Sequence, residues 1–255
     1  MLLAIDIGNS NTVLGFYRND EIIYSHRFVT KTKITTDELK AKFFNILNFC
    51  EIKKEAVEAV LIASVVPNLN QVYNLLGTDY FNSEVFFVRD FNKNFPLKIK
   101  VDNVLEVGDD RLVNALAAYD RFRHNLIIID FGTAITFDVV TKLDGYLGGL
   151  IFPGVNLALE YFPSATAKLP KIELEFPQQV TGSNTISAMQ SGVTYGYLMM
   201  IEGIVKKICA EHNCAFKIIA TGGMGEVFYS NSEIIEYYDA DLTLDGLNKL
   251  YKKIK

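Results

Sequence analysis

Two short segments of the chain carry aspartate, glycine and threonine at the same spacing. Positions 6 and 130 differ by 124, and the same offset relates the other two residue types. The pairs are Asp6 with Asp130, Gly8 with Gly132, and Thr12 with Thr136. Because this offset is about half of the 255 residues, it predicts a duplicated domain, with an N-terminal half at 1–117 and a C-terminal half at 118–255.

Each copy places a glycine turn after an apolar strand, and such a turn presents backbone N–H groups closely to a ligand. The first turn adds small neutral donors: Asn9, Ser10, Asn11 and Thr12. Groups of this kind suit phosphate oxygens, and the preceding aspartate would hold a cation that bridges to the phosphates. A single copy favours an ordinary β-hairpin turn. Two copies at equal spacing favour a phosphate site.

A third segment with reactive side chains is Gly108-Asp109-Asp110-Arg111, directly before an amphipathic helix. Acidic residues at a helix start usually act as caps. In the alternative interpretation, one aspartate accepts a proton from an attacking hydroxyl while Arg111 orders an anionic substrate. The segment's place at the predicted junction of the halves, where clefts form, favours this second interpretation.

The apolar pattern predicts α/β architecture, with a three-strand antiparallel meander opening each half and helices alternating with strands after it. Further strands are predicted near 57–65, 85–88 and 216–220. Helices are predicted at 35–50, 110–122, 185–212 and 244–254. Two other glycine-rich segments, 148–154 and 221–225, favour close backbone approach, the second on the nucleoside side of the cleft.

Composition excludes several classes of function. The net charge of −5 argues against a nucleic-acid or anionic-membrane surface, and the longest uncharged stretch is broken by Pro67. The three cysteines, Cys50, Cys209 and Cys214, are scattered, as is typical of free thiols in a reducing compartment. With no secretory signal pattern at the start, the expected location is the cytoplasm. Walker, dinucleotide-binding and zinc-protease motifs are absent from the sequence.

An ordered set of motifs resembles the type III pantothenate kinases, a family within the acetate and sugar kinase/heat-shock/actin superfamily. The resemblance runs nearly end to end. It rests on the segments 6–12, 64–67, 108–111, 130–134, 148–154, 184–185 with 191–192, 221–223 and 242–247. One aspartate–glycine turn would indicate the superfamily only, whereas the ordered set is specific to the family.

The resemblance implies two ribonuclease-H-like (actin-like) halves with mixed sheets, a cleft between them, and a homodimer. It implies ATP-dependent phosphorylation of pantothenate to 4′-phosphopantothenate, the first step of coenzyme A biosynthesis, with Mg²⁺ and a monovalent cation, K⁺ or NH₄⁺. ATP would be bound by Asp6, Ile7, Gly8, Asn9, Ser10, Asn11, Thr12, Val13 and Thr133. Pantothenate would be bound by Gly108, Asp109, Asp110, Arg111 and Thr185. Asp110 would be the proton acceptor and Asp130 the monovalent-cation ligand.

The chain departs from the family pattern at Asp109, where alanine is usual, and at Val101 and Val104, where tyrosine and proline are usual. An extra carboxylate beside the base would raise the pKa of the base or repel the substrate carboxylate, so Asp109→Ala is expected to preserve activity. Two alternative functions stay open: a kinase of the same superfamily with another small acceptor, and a regulatory ATP-binding protein. Neither a nucleic acid nor a membrane is expected as a partner.

Overall fold

The computed structural model describes residues 1–166 and 168–255 and divides them into two compact units. Unit 1 contains residues 1–122, 144–146 and 241–255, and unit 2 contains residues 123–143 and 147–240. The strands are β1 (Leu2–Ile7), β2 (Asn11–Arg18), β3 (Glu21–Val29), β4 (Ala59–Ser64), β5 (Glu84–Phe87), β6 (Leu126–Phe131), β7 (Ala134–Thr141), β8 (Gly145–Pro153), β9 (Lys217–Thr221) and β10 (Tyr237–Tyr238). The helices are α1 (Thr36–Phe49), α2 (Asn70–Leu75), α3 (Asp109–Phe122), α4 (Val155–Ala165), α5 (Thr185–His212), α6 (Gly225–Tyr229) and α7 (Leu242–Ile254).

The two sheets have the same topology, which confirms the α/β class and the mixed sheets predicted from the sequence. One has the order β3-β2-β1-β4-β5 and the other β8-β7-β6-β9-β10. In each, the first strand pairs antiparallel with the second and parallel with a later strand, β4 or β9. The sequence repeat is therefore a repeat of topology.

The helix predictions are confirmed to within two residues at each end. Thr35 caps α1 through a capping box with Glu38, as its sequence pattern indicates. Helix α5 spans the predicted residues 185–212, and its buried residues face the apolar core of unit 2. The core of unit 1 lies between β1, β2 and β4 and the helices α1 and α2.

The two meanders differ by one residue in their first turn. Ile7 pairs with Thr12 and encloses the four residues 8–11, whereas Phe131 pairs with Ile135 and encloses the three residues 132–134. Side chains alternate between the faces of a strand, so a shift of one residue moves a side chain to the opposite face. Thr12 is consequently buried on the core face of its sheet, while Thr136 lies opposite Asp130 on the other face.

Helix α7 ends the chain and belongs to unit 1. Gly246 lies so close to α3 that an added Cβ would be 2.6 Å from the Val113 carbonyl carbon. Asp245 accepts hydrogen bonds from Tyr17 Oη at 2.8 Å and from Arg121 Nη2 at 2.9 Å. The helix therefore braces β2 and α3 of the unit that also contains the first Asp-Gly turn.

Candidate active site

The turn between β1 and β2 presents the first set of phosphate-type donors. Gly8 N–H donates to the Asn11 carbonyl at 3.0 Å, which closes the turn. An added Cβ on Gly8 would lie 2.9 Å from that carbonyl oxygen, so the turn requires glycine at this position. Asn9, Ser10 and Asn11 are exposed, whereas Asp6, the next-to-last residue of β1, is half-buried. The turn thus offers neutral polar groups to solvent beside a carboxylate.

Thr30, directly after β3, braces this turn and was not identified from the sequence. Its hydroxyl donates to the Gly8 carbonyl at 2.8 Å, and its N–H donates to the Ser10 carbonyl at 3.0 Å. The Thr30 hydroxyl also lies 2.9 Å from the buried Thr12 hydroxyl. The meander brings the end of β3 beside the turn. Because the sequence predicts this meander, it carried a signal that could have identified Thr30. Thr12 therefore supports the turn from its buried side, through the Thr30 hydroxyl.

In unit 2, the turn between β6 and β7 presents Thr133 to solvent. The Thr133 carbonyl accepts a hydrogen bond from Gly154 N–H at 3.1 Å. An added Cβ on Gly154 would lie 2.7 Å from the Gly132 carbonyl oxygen. The corner between β8 and α4 therefore packs directly on this turn, which is the close backbone approach expected for the segment 148–154.

Asp130, the next-to-last residue of β6, lies beside a glycine that no other residue could replace without strain. Gly222 has a φ of +85°, and an added Cβ would lie 2.5 Å from Asp130 Oδ1 and 2.7 Å from Phe131 N. Tyr238 Oη donates to the Gly222 carbonyl at 3.2 Å and holds it in place. The segment 221–225 thus packs against Asp130, and the carboxylate lies beside the backbone of Gly222 and Phe131.

Asp110, in the first turn of α3, is a half-buried carboxylate held by the backbone. Its Oδ1 accepts a hydrogen bond from Arg111 N–H at 2.8 Å, which satisfies one of the free amides at the helix start. Burial raises the pKa of Asp110 above its ordinary value, and the hydrogen bond and the Arg111 charge oppose that rise. A carboxyl with a raised pKa is a stronger proton acceptor once ionised, as general-base catalysis requires.

The neighbouring Asp109 points into unit 1. It is 4% exposed, and its Oδ2 accepts a hydrogen bond from Ser64 N–H at 3.1 Å and lies 3.5 Å from Arg89 Nη2. Burial raises the pKa of Asp109, while Ser64 N–H and Arg89 oppose the rise. Successive side chains on a helix diverge by about 100°, so the two aspartates face different surroundings. The structure therefore changes the expected consequence of Asp109→Ala, because the substitution would leave the Ser64 N–H unsatisfied.

Thr185, the other predicted pantothenate ligand, is exposed at the first position of α5 in unit 2. Asn184 caps the helix, because its side chain accepts a hydrogen bond from Ser187 N–H at 3.0 Å. The Asn184–Thr185 motif of the sequence is thus a cap followed by an exposed hydroxyl.

The predicted site residues fall into two groups. The turn after β1 and the start of α3 belong to unit 1, while Asp130, Thr133 and Thr185 belong to unit 2. The residues in the described ranges include no group of three or more His, Cys, Asp or Glu side chains arranged to hold a metal ion. Among the helices of those ranges, none combines the length and apolar character needed to cross a membrane.

Comparison with known proteins identifies the family. The family model described as type III pantothenate kinase matches residues 2–207. A type III pantothenate kinase of Paramagnetospirillum magneticum is 42% identical over 253 residues, which cover 99% of this chain and 97% of that protein. One of Ruegeria sp. is 39% identical over 257 residues, which cover 100% of this chain and 98% of that protein.

A solved structure supports the fold alone. Component A of (R)-2-hydroxyglutaryl-CoA dehydratase from Acidaminococcus fermentans matches with a TM-score of 0.58 at 11% identity, over 99% of this chain and 98% of that one. Together with the two sheets of identical topology, this likeness confirms the ribonuclease-H-like, actin-like fold predicted from the sequence. On the family match and the full-length relatives, the chain belongs to the type III pantothenate kinase family.

Proposed function

We propose that this protein transfers the γ-phosphoryl group of ATP to pantothenate and so forms 4′-phosphopantothenate, the first intermediate of coenzyme A biosynthesis. The observation that carries the proposal is the Asp110 carboxylate, fixed at the start of α3 by Arg111 N–H with a raised pKa. In the reaction, the substrate hydroxyl oxygen bonds to the γ-phosphorus, the bond to the β-phosphate oxygen breaks, and the hydroxyl proton passes to Asp110. ADP is the leaving group.

The ATP phosphates are assigned to the turn after β1 together with Thr133. The exposed Asn9, Ser10 and Asn11 supply neutral donors, and Thr30 and Thr12 keep the turn in shape from below. Phosphoryl transfer depends mainly on positioning and charge stabilisation, so a braced turn contributes to rate as well as to binding.

Two cations are assigned to Asp6 and Asp130, the next-to-last residues of β1 and β6. Asp6 beside the first turn would hold Mg²⁺ together with phosphate oxygens, the usual ligand set of that ion in kinases. Asp130 would hold K⁺ or NH₄⁺, with the closely packed backbone of Gly222 beside it. A monovalent cation there would balance the negative charge of the Asp130 carboxylate on the buried strand β6.

Pantothenate is assigned to Gly108, Asp110, Arg111 and Thr185. The guanidinium of Arg111 suits the substrate carboxylate, and the exposed Thr185 hydroxyl suits a polar group of the substrate. Asp109 is also a predicted ligand, but its burial supports an indirect contribution through the protein interior.

A homodimer is proposed from one face of α5 in unit 2. Gly192, Gly196, Met199 and Gly203 are exposed and spaced by four, three and four residues, so they form one stripe, the α5 stripe. Beyond the backbone of the adjacent turns of α5, an added Cβ at any of its three glycines would meet no heavy atom of the described residues within 4 Å. Glycine inside a helix costs about 1 kcal/mol relative to alanine, so close approach of a second chain would explain three of them.

The surface beside this stripe is apolar as well. A groove of about 740 Å³ runs along α5 and is lined in part by β8, where Leu150, Ile151 and Phe152 are exposed. Exposed apolar surface of this kind is typical of an interface between chains. The homodimer is proposed to be cytoplasmic. The halves at 1–117 and 118–255 are proposed to have arisen by duplication.

A coupled assay of ADP release tests the proposed function. We expect release that requires ATP, Mg²⁺ and pantothenate together, and that remains near background with a hexose or acetate in place of pantothenate. Release with a sugar or acetate and none with pantothenate would assign the chain to another acceptor. ATP binding without turnover on any acceptor would support a regulatory protein.

A further inference from the structure

Every polar group of Ser64, the last residue of β4, makes a hydrogen bond to another protein group. Its N–H donates to Asp109 Oδ2 at 3.1 Å, and its carbonyl accepts from Arg89 Nη2 at 2.9 Å. Its hydroxyl donates to Asn70 Oδ1 at 2.7 Å. The residue is 2% exposed, so these protein groups replace water at a buried strand end.

The same strand end is fastened to the phosphate turn. β4 pairs parallel with β1, with Ser64 opposite Ile7, and Val65 N–H donates to the Ile7 carbonyl at 3.1 Å. Gly8, the first residue of the turn, follows Ile7 directly. Residues 64–65 therefore lie between the phosphate turn on one side and the start of α3 on the other.

Asp109 makes the connection to α3. It immediately precedes Asp110, and its buried carboxylate contacts both Ser64 N–H and the Arg89 guanidinium. Val65 also packs near this helix start, with its Cγ1 3.4 Å from the position of a Cβ added to Gly108. A continuous path of close contacts thus runs from Gly8 through Ile7, Val65, Ser64 and Asp109 to Asp110.

We propose that Asp109 is a positioning residue, which together with Arg89 fixes the place of the general base Asp110 relative to the phosphate turn. The inference rests on the proposed function, because it assigns Asp110 and the turn their roles. Asp109 acts through Ser64 and touches no substrate, because its carboxylate points into the interior of unit 1.

The expected effect is on turnover. A displacement of a catalytic group by about 1 Å can cost about 10²-fold in rate. We expect Asp109→Ala to lower kcat by about 10²-fold while the KM for ATP changes less than about threefold, because the turn itself keeps its own hydrogen bonds. Asp109→Asn retains an oxygen that accepts from Ser64 N–H, so it should recover at least about tenfold of that loss.

The test measures kcat and KM of the full chain with ATP and pantothenate for Asp109→Ala, Asp109→Asn and Arg89→Gln. Asp37→Asn and Arg18→Gln, at exposed positions of α1 and β2, are matched controls. Thermal melting reports the fold of each variant. Loss of kcat in Asp109→Ala and Arg89→Gln with a nearly unchanged KM for ATP, and recovery in Asp109→Asn, would support the positioning role.

A wild-type kcat in Asp109→Ala, or an Asp109→Asn variant no faster than Asp109→Ala, would overturn the role. If Asp109→Ala does not fold, Arg89→Gln decides, and a wild-type kcat in that variant overturns the inference. The wild-type reaction is measured first: no pantothenate turnover there would refute the proposed function, whereas wild-type turnover with unaffected variants refutes the positioning role alone.

Discussion

Gly108 lies so close to Asp110 that a Cβ on the glycine would collide with Oδ1 of the aspartate. The carboxylate bends back over the helix start, where it accepts the Arg111 N–H. The absence of a side chain at position 108 therefore leaves the space that the proposed base occupies. The same packing explains why a glycine precedes an acidic helix start here, although glycine caps a helix without a side-chain hydrogen bond.

Gly108→Ala should displace the Asp110 carboxylate and lower kcat by about 10- to 100-fold with little change in thermal stability. Steady-state kinetics and a melting curve measure the two quantities. The double variant Gly108→Ala/Asp110→Asn is the control, since alanine should cost nothing more once the base is gone. If the two substitutions lowered kcat independently in the double variant, Gly108 would not act through the Asp110 carboxylate.

Asp110→Asn should lower kcat by about 10²- to 10⁴-fold, because the amide cannot accept the hydroxyl proton. ATP affinity, measured by calorimetry, should stay near the wild-type value, because no phosphate group is assigned to this residue. An Asp110→Asn enzyme with near-normal turnover would remove the residue from its role as general base.

The raised pKa of Asp110 predicts opposite effects on activity and on stability. Only the ionised carboxylate accepts a proton, so kcat should rise with pH through a pKa above the ordinary value of 3.8. The neutral form is favoured in the folded state, so the stability from this group is present below pH 3.8 and is lost as pH rises through the folded pKa. Asp110→Asn should therefore melt at a higher temperature than wild type at pH 7, and the difference should vanish in acid. A melting temperature of Asp110→Asn below that of wild type at pH 7 would contradict a free-energy cost of burying the ionised Asp110 carboxylate.

Asp130→Asn should weaken the response to the monovalent cation. In wild type we expect turnover to rise when K⁺ or NH₄⁺ replaces Na⁺ or choline at constant ionic strength. Removing the carboxylate charge should reduce that ratio toward one, whereas Asp37→Asn, at an exposed position of α1, should leave it unchanged. An Asp130→Asn protein with the wild-type potassium response would exclude this ligand role.

Gly196→Ala should have opposite effects in a monomer and in a dimer, and it therefore distinguishes the two states. In an isolated chain the added methyl meets no described atom within 4 Å beyond the adjacent backbone of α5, and it should stabilise the helix by about 1 kcal/mol. In a dimer that packs on the α5 stripe it should weaken association, which light scattering over a dilution series measures. Asn45→Ala, at an exposed position of α1, should leave the association unchanged. A monomeric wild type would end the proposal.

The sequence by itself determined the α/β class, the repeated strand–turn–strand unit and most element boundaries. The offset between Asp6 and Asp130 located two strand–turn–strand units, and the sheets share one topology. Helix α5 could be predicted from end to end because an apolar repeat of three to four residues leaves few other ways to bury its core face. The helix signal is local, since it depends only on residues a few positions apart.

Only the tertiary structure decided which face each side chain occupies. Thr12 and Thr136 hold equal places in the repeat, yet the second turn is one residue shorter, so the first is buried in the core and the second lies opposite Asp130. Likewise, the order Asp109-Asp110 did not reveal that the first aspartate contacts Ser64, 45 positions earlier in the chain. Residue spacing specifies periodicity, but turn length and long-range packing determine side-chain orientation, and a one-residue change in register reverses it.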